Sequence, residues 1–416
     1  MGVGSLRIAM LSAHSCPVGI LGTRDTGGMS VYIRELAREL AQQGHLVDVY
    51  TRVHDPEDRQ VYELSANARL VHLRAGEDEE IDKLAVYSHL PELAHNLESF
   101  RSESQIRYDL IFSHYWLSGL AGTFLQQWWD VPHIIMFHTL GAIKNAVKNE
   151  AVLAPAESEP DLRIRTEKAL ARNCHHIIAS TEKEREQLTR SYGARPEKIS
   201  IVPCGVNLEQ FRPMDKAQAR QHLGFDEEKI ILFVGRIDPL KGIDSLIAAL
   251  PHLSDIRALR LLIIGGGEGS QSAIERLRAL ASQLGVVDKV SFMGVVKHER
   301  LPHFYSLADV CVVPSYYESF GLVALEALAC GTPVVATDVG THRSVIREGE
   351  TGYVVADNAP GTLARKIALV LSRPDAGVQS AFAARASVTG FGWPSIAEAM
   401  SRCCRTVLDG YLASVS

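Results

Sequence analysis

The sequence predicts an α/β protein with two Rossmann-like domains, each built on a doubly wound parallel sheet. The first observation is length, because 416 residues exceed what one ordinary hydrophobic core holds. The second is alternation, since short runs rich in Val, Ile and Leu are separated by helix-length segments, which is typical of a parallel sheet. The third is that polar or Gly-rich turns follow several of these runs, at the strand ends where such sheets bind ligands.

The composition is that of a globular protein and excludes several classes of function. Hydrophobic residues make up 46% and charged residues 22% of the chain. The net charge of −6 gives no basic footprint for nucleic acid or for an anionic membrane. No apolar run approaches the roughly 20 residues that span a bilayer, so we expect no stable membrane association, and we expect no signal peptide before Leu6. The seven Cys are scattered through apolar segments, which predicts reduced thiols and a cytoplasmic location.

The first half of the chain predicts strands over 6–11, 46–51, 109–113, 133–137, 175–180 and 199–203. The loop after the first strand ends in Asp25-Thr26-Gly27-Gly28 and leads into a helix that ends near residue 43. Two glycines at a helix start let the backbone approach a ligand closely, and a flexible turn is the competing interpretation. The acidic run over 77–82 predicts a solvated loop, because loops that bind hard cations need spaced ligands and a turn glycine.

Two of these strands lead into polar segments, one beginning His114-Tyr115 and the other His138-Thr139. Both segments stand at strand ends, where the site of an α/β protein is expected. His138 suggests a general base or a metal ligand, but no second His, Cys or carboxylate stands at ligand spacing, so we predict no metal site. A satisfied core histidine is the alternative interpretation.

The second half predicts strands over 230–234, 261–264, 290–293, 310–314 and 334–337, after a linker near 204–213. The first of these strands runs into Gly235-Arg236-Ile237-Asp238-Pro239-Leu240-Lys241-Gly242. Arg236 and Lys241 therefore leave the carboxyl end of a strand on a short turn, where two fixed cations can neutralise a diphosphate. Arg binds such a group through a planar fork and Lys as a point charge. Each cation alone is more often an ordinary surface residue.

Two carboxylates, Glu318 and Glu326, flank the start of an apolar helix predicted over 322–330. Gly331 and Pro333 end this helix. The backbone N–H groups at its start form an anion site, and an anion flanked by two hydroxyl-binding carboxylates suggests a phosphorylated sugar. An amphipathic helix with two solvated Glu is the alternative, which the Arg/Lys turn about 80 residues earlier makes less attractive.

Together, the G-R-x-D-x-x-K-G turn and the E-x7-E helix resemble the retaining glycosyltransferases of family 4, which have the GT-B fold. The resemblance extends along nearly the whole chain. It implies an acceptor-binding domain over 1–210, completed by a C-terminal helix over 393–416. It also implies a nucleotide-sugar-binding domain over 211–392 and a cleft between the two. Asp25 to Gly28 is similar to the sucrose-phosphate synthase branch, whereas Gly27 to Tyr32 is closer to the inositol-phosphate glycosyltransferases of mycothiol synthesis, which carry Asn where this chain has Ser30.

The resemblance also implies roles for individual residues. Arg236 and Lys241 stabilise the leaving diphosphate, Glu318 holds hydroxyls of the transferred sugar and Glu326 takes the ribose hydroxyls. The backbone carbonyl of His138 faces the sugar C1, and its imidazole touches a sugar hydroxyl. The implied catalytic set is His138, Arg236, Lys241 and Glu318. The implied donor-binding set is Gly28, Arg236, Lys241, Gly294, Val296, Glu318, Phe320, Gly321, Leu322, Val323 and Glu326. The implied acceptor-binding set is Gly28, Ser30, Lys83, Tyr115, Thr139, Lys144 and Arg163.

The expected reaction is transfer of a hexosyl unit from a nucleotide-diphosphate sugar of the UDP-glucose type to a phosphorylated acceptor. It requires no metal and no other cofactor. Fructose 6-phosphate is the narrowly preferred acceptor, because of Asp25 to Gly28 and Ser30. Transfer of a glucosamine-type sugar to inositol phosphate follows closely, and a lipid or polysaccharide acceptor and a sugar-nucleotide epimerase are further alternatives. The expected partners are small molecules, and the oligomeric state is not predicted.

Overall fold

The computed structural model describes residues 4–19, 26–79, 81–151, 158–225, 227–267, 269–372 and 378–415. The first sheet has the strand order β3-β4-β2-β1-β5-β6-β7-β8. Its strands are β1 Arg7–Leu11, β2 Leu46–Arg52, β3 Val61–Ser65, β4 Ala68–Leu73, β5 Leu110–His114, β6 His133–Met136, β7 His176–Ala179 and β8 Ile199–Ile201. All neighbours pair in parallel except β3, which runs antiparallel to β4 at the edge.

The second sheet has six strands, all parallel, in the order β11-β10-β9-β12-β13-β14. Its strands are β9 Lys229–Val234, β10 Leu259–Ile264, β11 Val290–Gly294, β12 Val310–Val313, β13 Val334–Thr337 and β14 Gly352–Val355. The prediction of two doubly wound α/β sheets is therefore confirmed.

The helices lie mainly between successive strands. They are α1 Gly28–Gln42, α2 Lys83–Ser88, α3 Leu90–Glu103, α4 Tyr115–Trp129, α5 Gly141–Glu150, α6 Asp161–Asn173, α7 Glu182–Tyr192, α8 Lys216–Leu223, α9 Ile243–Ala249, α10 Gln271–Gln283, α11 Leu301–Leu307, α12 Leu322–Ala329, α13 His342–Val345, α14 Pro360–Leu371, α15 Val378–Val388 and α16 Trp393–Val415. Among the described residues, none of these helices is both long and apolar enough to cross a membrane.

The structure departs from the predicted elements at two sheet edges. The hairpin of β3 and β4 lies in the polar segment before the acidic run, where no strand was predicted. Its two-residue turn, Ala66 and Asn67, joins strands whose alternation is interrupted by charged side chains. The edge strand β14 was also missed, because its apolar run is only three residues long. Edge strands expose one side of their backbone and bury fewer side chains, so their sequence signal is weak.

Both sheets are buried on both faces, as parallel sheets require. In β1, Ile8 and Met10 pack into one core cluster, whereas Ala9 and Leu11 pack into the cluster on the opposite face. This alternation follows from the two-residue period of a strand. The second sheet has its own pair of clusters, so each sheet has an independent hydrophobic core.

The C-terminal helix α16 packs on the first sheet and not on the second. Its Trp393, Ile396, Met400 and Cys404 lie at helical spacing in the same core cluster as the apolar face of α1. The Ser401 hydroxyl also lies 2.8 Å from Nε2 of His45, just after α1. The chain thus crosses between the two sheets a second time, after α15.

Candidate active site

A cavity of about 350 Å³ lies between the carboxyl ends of the two sheets. In the first sheet, β2, β3 and β4 lie on one side of β1, and β5 to β8 lie on the other. The strand order therefore reverses at the boundary between β1 and β5. In the second sheet the corresponding boundary is β9/β12. Segments that follow β1, β5, β9 and β12 all line the cavity. A ligand-binding site is expected where strand order reverses.

The turn after β9 brings Arg236 and Lys241 to the cavity. The Arg236 side chain is 46% exposed and lies 3.8 Å from the Asp238 carboxylate. Gly242 follows with φ +66°, and a Cβ there would stand 2.1 Å from the carbonyl oxygen of Pro314. Only glycine fits this left-handed, crowded position, so the turn is fixed by the backbone. This constrained turn therefore fixes the backbone position of Lys241.

Glu318 forms an ion pair with Lys241, whose Nζ lies 2.5 Å from the Glu318 carboxylate. The Lys241 side chain is 21% and the Glu318 side chain 17% exposed. Burial by itself raises the pKa of Glu318, but Lys241 holds it below the ordinary value. The carboxylate is therefore ionised at neutral pH and offsets the charge of Lys241.

The start of α12 opens into the same cavity. Phe320, Leu322 and Val323 line it, and Gly321 takes φ +78° just before the first helical residue. A Cβ on Gly321 would lie 2.9 Å from the buried His342 ring. The first N–H groups of a helix have no acceptor within the helix, so this end favours an anion.

Glu326 lies one turn further along α12 and is buried. One oxygen lies 2.7 Å from Nε2 of His298, and the other accepts a 2.7 Å hydrogen bond from the Tyr305 hydroxyl. Although burial by itself lowers the pKa of His298, the adjacent Glu326 carboxylate raises it above the ordinary value. Both oxygens of Glu326 thus have partners that hold the side chain in one orientation.

Val295 and Val296 line the cavity beside these carboxylates. They follow Gly294, which ends β11 with φ +70°. The segment offers backbone N–H and C=O groups with no charged side chain, which suits an uncharged ring such as a nucleobase.

His138 lines the opposite wall, in a strained turn after β6. Its φ is +61°, and the N–H of Thr139 bonds the carbonyl of Phe137 at 2.7 Å across it. Burial lowers the pKa of His138 to about 3, so the imidazole is neutral at physiological pH. Its Nε2 lies 2.8 Å from Nδ1 of His114, and its ring packs edge-on against Phe320 of the other wall.

The start of α1 forms the floor between the two walls. Gly28 lines the cavity, and a Cβ there would lie 3.1 Å from Leu322 at the start of α12. Ser30 is not among the described residues that line the cavity. It is fully buried, and its hydroxyl lies 2.6 Å from that of Ser15. Asp25, on which the fructose 6-phosphate preference partly rested, lies outside the described residues.

A polar cluster on the first-sheet side contains most of the residues predicted to bind the acceptor. Lys83, Tyr115, Thr139 and Lys144 line the cavity. Arg163 lies behind them, with its side chain 2% exposed. Its Nη2 donates to the hydroxyl and the carbonyl oxygen of Thr139, both at 2.9 Å, and its guanidinium carbon stacks 4.8 Å from the centre of the Tyr115 ring. Two hydroxyls and three cations thus meet in one place.

Two residues of this region were missed from the sequence. Glu159 forms ion pairs with Lys144 and Arg163, which lie on different helices. The i,i+4 spacing of Glu159 and Arg163 was an available local signal, whereas Lys144 lies on another helix and nothing local to Glu159 indicates it. His14 lines the cavity, and its ring centre lies 4.4 Å from that of Tyr115. Its place just after the carboxyl end of β1 was the available signal.

The cavity brings together most of the predicted residues. The predicted residues that line it are Gly28, Lys83, Tyr115, His138, Thr139, Lys144, Arg236, Lys241, Val296, Glu318, Phe320, Leu322, Val323 and Glu326. Within the described residues, Ser30, Arg163, Gly294 and Gly321 are absent from the lining, and the last three adjoin it. The arrangement places a cationic turn and a helix start on one side and a second cationic, hydroxyl-bearing cluster on the other. Such a site can hold two anionic groups with an uncharged sugar between them.

Two family models match the chain, each along one sheet. The model described as Glycosyltransferase Family 4 matches residues 26–210. The model described as Glycosyl transferases group 1 matches residues 215–387. The sequence resemblance to this family is thereby confirmed over both halves.

Relatives of known name match along almost the full length. The chain is 39% identical over 410 residues to the D-inositol 3-phosphate glycosyltransferase of Xylanimonas cellulosilytica, covering 96% of each chain. It is 36% identical over 403 residues to the enzyme of the same name from Corynebacterium glutamicum, covering 95% of this chain and 96% of that one.

Among solved structures, the fold superposes on the sucrose-phosphate synthase of Thermosynechococcus elongatus with a TM-score of 0.88. The two sequences are 34% identical, and the match covers 97% of this chain and 100% of the other. The family models and the relatives cover both halves of the chain, and the solved structure shares its two-sheet fold. The chain therefore belongs to the family 4 glycosyltransferases of the GT-B fold.

Proposed function

We propose that this glycosyltransferase moves a sugar from a nucleotide-diphosphate donor to a small phosphorylated acceptor, and that inositol phosphate is the preferred acceptor. The observation that carries the proposal is the cluster of Lys83, Tyr115, Thr139, Lys144 and Arg163 across the cavity from Arg236 and Lys241. Two separate cationic regions fit a diphosphate on one side and a phosphate monoester on the other.

The donor lies on the second-sheet side in this proposal. Arg236, Lys241 and the start of α12 stabilise the negative charge that develops as the diphosphate leaves. Glu326, held by His298 and Tyr305, accepts hydrogen bonds from the ribose hydroxyls, and the nucleobase rests on the backbone of Val295 and Val296. Glu318 binds hydroxyls of the sugar once the diphosphate has replaced it as the partner of Lys241.

The proposed transfer retains the configuration at the anomeric carbon and needs no metal ion. Arg236 and Lys241 supply the positive charge that a divalent cation supplies in metal-dependent enzymes. His138 is neutral and lies close to both walls, so it donates or accepts a hydrogen bond with a sugar hydroxyl and carries no charge into the site. The acceptor hydroxyl attacks on the face of the leaving phosphate, and that phosphate takes the acceptor's proton.

The two relatives favour inositol phosphate as the acceptor. The sequence of the loop that ends in Asp25 to Gly28 had favoured fructose 6-phosphate. Both relatives bear inositol 3-phosphate in their names and match almost end to end. Ser30 was one reason to favour fructose 6-phosphate, and its hydroxyl is paired with Ser15 inside the protein. This burial weakens the preference based on its side chain.

Fructose 6-phosphate is the second candidate acceptor. It is favoured by the sucrose-phosphate synthase, whose fold and sequence are similar over the whole chain. Both acceptors carry a phosphate monoester, so the same cluster serves either. They differ in the sugar or polyol hydroxyls that face Gly28 and His14.

The test is release of nucleoside diphosphate from a panel of UDP-, ADP- and GDP-sugars, with inositol phosphate, with fructose 6-phosphate or with neither. We expect release that depends on one phosphorylated acceptor and persists in EDTA, with a glycosidic product whose anomeric configuration by NMR matches the donor. Release without either acceptor, epimerised donor alone, or a product formed only on lipid would overturn the proposal.

A further inference from the structure

Two buried histidines contact each other beside the cavity. Among the described residues, His138 lines the cavity and His114 does not. His114 ends β5 and His138 follows β6, and these strands are parallel neighbours, so their carboxyl ends bring the two side chains together. Nε2 of His138 lies 2.8 Å from Nδ1 of His114. Two ring nitrogens at this distance share one proton in a hydrogen bond.

Burial keeps both rings neutral. It lowers the pKa of His138 to about 3, and it lowers the pKa of His114 well below the ordinary value, with a further contribution from His138. A neutral imidazole carries one N–H, so one of its nitrogens is a donor and the other is an acceptor. The shared proton therefore determines the tautomer of both histidines at once. If it belongs to His114, both rings are protonated at Nδ1, and if it belongs to His138, both are protonated at Nε2.

The other nitrogen of each ring is buried and has no partner among the described residues. These nitrogens are Nε2 of His114 and Nδ1 of His138. The His114 ring packs against aromatic side chains, with its centre 4.4 Å from that of Phe112 and 5.7 Å from that of Tyr32. Since His114 is fully buried and lies outside the described lining, a ligand in the cavity does not bond its Nε2. A ligand that contacts His138 can supply a partner for its Nδ1.

This difference indicates where the shared proton belongs. A sugar hydroxyl can pair with Nδ1 of His138 in either tautomer, because a hydroxyl both donates and accepts. Nε2 of His114 stays unpaired in both, as an N–H in one arrangement and as a lone pair in the other. Orphaned buried N–H groups are rarer in protein interiors than under-satisfied acceptors. The arrangement with both rings protonated at Nδ1 is therefore favoured.

We propose that His114 is a positioning residue, which donates its Nδ1–H to Nε2 of His138 and so makes Nδ1 of His138 a hydrogen-bond donor to a hydroxyl of the transferred sugar. The inference rests on the proposed function and deepens it, because it concerns the same contact. His138 then has no free lone pair, since His114 occupies Nε2 and a proton occupies Nδ1. It cannot act as a general base, which agrees with a transfer in which the leaving phosphate takes the acceptor's proton.

The tautomer can be measured on the full-length protein with ¹⁵N in the histidine rings. Long-range ¹H–¹⁵N spectra distinguish a protonated ring nitrogen from a bare one. The signals of the two residues are assigned as those lost in His114→Asn and in His138→Asn. We expect Nδ1 to be protonated in both rings at neutral pH. Protonation of Nε2 in both rings, or equal populations of the two tautomers, would overturn the proposal.

Two substitutions at position 114 test the effect on sugar transfer. We expect His114→Leu to lower kcat/KM for the nucleotide sugar about three- to tenfold, because His138 loses the partner that fixes its tautomer. His114→Asn restores an N–H donor at the same number of bonds from Cα as Nδ1, so kcat/KM should return to within about twofold of the wild type. Binding of the nucleoside diphosphate alone should be unchanged in both variants by calorimetry, because this ligand lacks the sugar. Equal losses in the two variants would mean that His114 acts only by packing.

His133→Leu is the matched control. His133 is also fully buried, burial lowers its pKa to about 3, and its Nε2 lies 2.8 Å from the Ser113 hydroxyl. It begins β6, at the end of the strand that is away from His138, and it is not in the described lining. Both Leu variants should therefore melt at a lower temperature, but only His114→Leu should lose kcat/KM. A similar loss in His133→Leu would attribute the effect to stability and contradict the positioning role.

Donors that lack one sugar hydroxyl test the contact itself. Removal of the contacted hydroxyl should lower kcat/KM in the wild type, and His114→Leu should then cause no further loss on that donor, because the two changes remove one interaction. Additive losses with every deoxy donor would show that His114 does not act through a sugar hydroxyl.

The outcomes also separate this inference from the proposed function, because the spectrum is recorded without substrate. Protonation of Nδ1 in both rings, with no turnover of any nucleotide sugar, would support the assigned tautomer and remove the proposed reaction. Turnover on a phosphorylated acceptor, with Nε2 protonated in both rings, would keep the reaction and remove the inference. If His114→Leu does not fold, the spectrum of the wild type and the kinetics of His114→Asn still decide between these outcomes.

Discussion

Arg236 and Lys241 enter the cavity from one turn but differ in how each is compensated. Lys241 is paired with the partly buried Glu318 at 2.5 Å, whereas Arg236 is half exposed and lies 3.8 Å from Asp238. The position of Lys241 on the turn, taken alone, predicts that Lys241→Ala cuts turnover far more than folding stability. The ion pair changes this expectation, because alanine at 241 leaves the partly buried Glu318 carboxylate without its cation. Substitution of Arg236 therefore tests charge stabilisation without breaking this ion pair.

We expect Arg236→Ala to lower the rate of sugar transfer by roughly 10²- to 10³-fold, because it removes one of the two charges that, in the proposed mechanism, stabilise the leaving diphosphate. Its free energy of unfolding should change by less than about 0.5 kcal/mol, since the side chain is exposed. Steady-state kinetics and urea unfolding measure the two effects. Arg190→Ala, on an exposed arginine of α7, is the control that should alter neither. Near-normal kcat/KM in Arg236→Ala would contradict its assignment to the diphosphate.

At the scale of the element, α12 is short and carries two tasks at once. Its first turn presents backbone N–H groups to the cavity, and its second turn carries Glu326. An isolated helix of eight residues would not be stable in water. Packing compensates, because its apolar residues are buried between the second sheet and α15. The anion site and the carboxylate are therefore fixed relative to each other by the core of the second sheet.

The contact between α12 and His298 predicts a pH dependence of stability. Glu326 raises the pKa of His298 in the folded state above the ordinary value of 6.5. The stabilisation is therefore complete below that ordinary value and is lost as the pH rises through the raised one. We expect His298→Gln to reduce the free energy of unfolding by about 1–2 kcal/mol at about pH 6, with a smaller reduction at about pH 9.

Urea unfolding at several pH values tests this expectation. The exposed His252→Gln is the control, and its difference from the wild type should be small and independent of pH. A His298→Gln difference that stays constant, or that grows as the pH rises, would mean that the imidazole is not charged beside Glu326.

At the scale of the whole molecule, the site exists only because two sheets face each other. Among the residues that the structure describes, two hydrogen bonds cross between the sheets near the cavity. The Leu140 N–H donates to the Tyr317 hydroxyl at 3.1 Å, and the Ser180 hydroxyl donates to the carbonyl oxygen of Ser319 at 2.9 Å. Phe320 also stacks on Tyr32 of α1 at 5.6 Å between ring centres. These contacts favour a closed arrangement, which excludes water from the reacting groups.

We expect Tyr317→Phe to weaken closure, because the Leu140 N–H loses its acceptor. The acceptor KM should rise about three- to tenfold, equivalent to the roughly 1 kcal/mol of one hydrogen bond. The fraction of donor that is hydrolysed instead of transferred should also increase. Tyr316→Phe is a matched control, since the Tyr316 hydroxyl lies 3.3 Å from Ser245 on the same side of the cavity. An unchanged ratio of hydrolysis to transfer in Tyr317→Phe would argue against a role of this contact in closure.

The sequence by itself determined the fold class and the two cationic positions, Arg236 and Lys241, on the second-sheet side of the cavity. Buried parallel strands read as continuous apolar runs, and Arg236 and Lys241 stand on a turn whose glycines and proline fix its shape locally. The sequence did not predict the edge strands β3 and β14, which bury few side chains, or β4 beside β3, whose apolar run is interrupted by Arg69 and His72.

Only the tertiary structure decided how the charged side chains are paired. Glu159 meets Lys144 and Arg163, Glu326 meets His298 and Tyr305, and Ser30 turns inward to Ser15. The reason is physical: helix and strand patterns arise from neighbours a few residues apart, whereas all of these pairs except Glu159–Arg163 form between side chains on different elements. Their partners are chosen by packing and by the need to compensate buried charge, which periodicity in the sequence does not record.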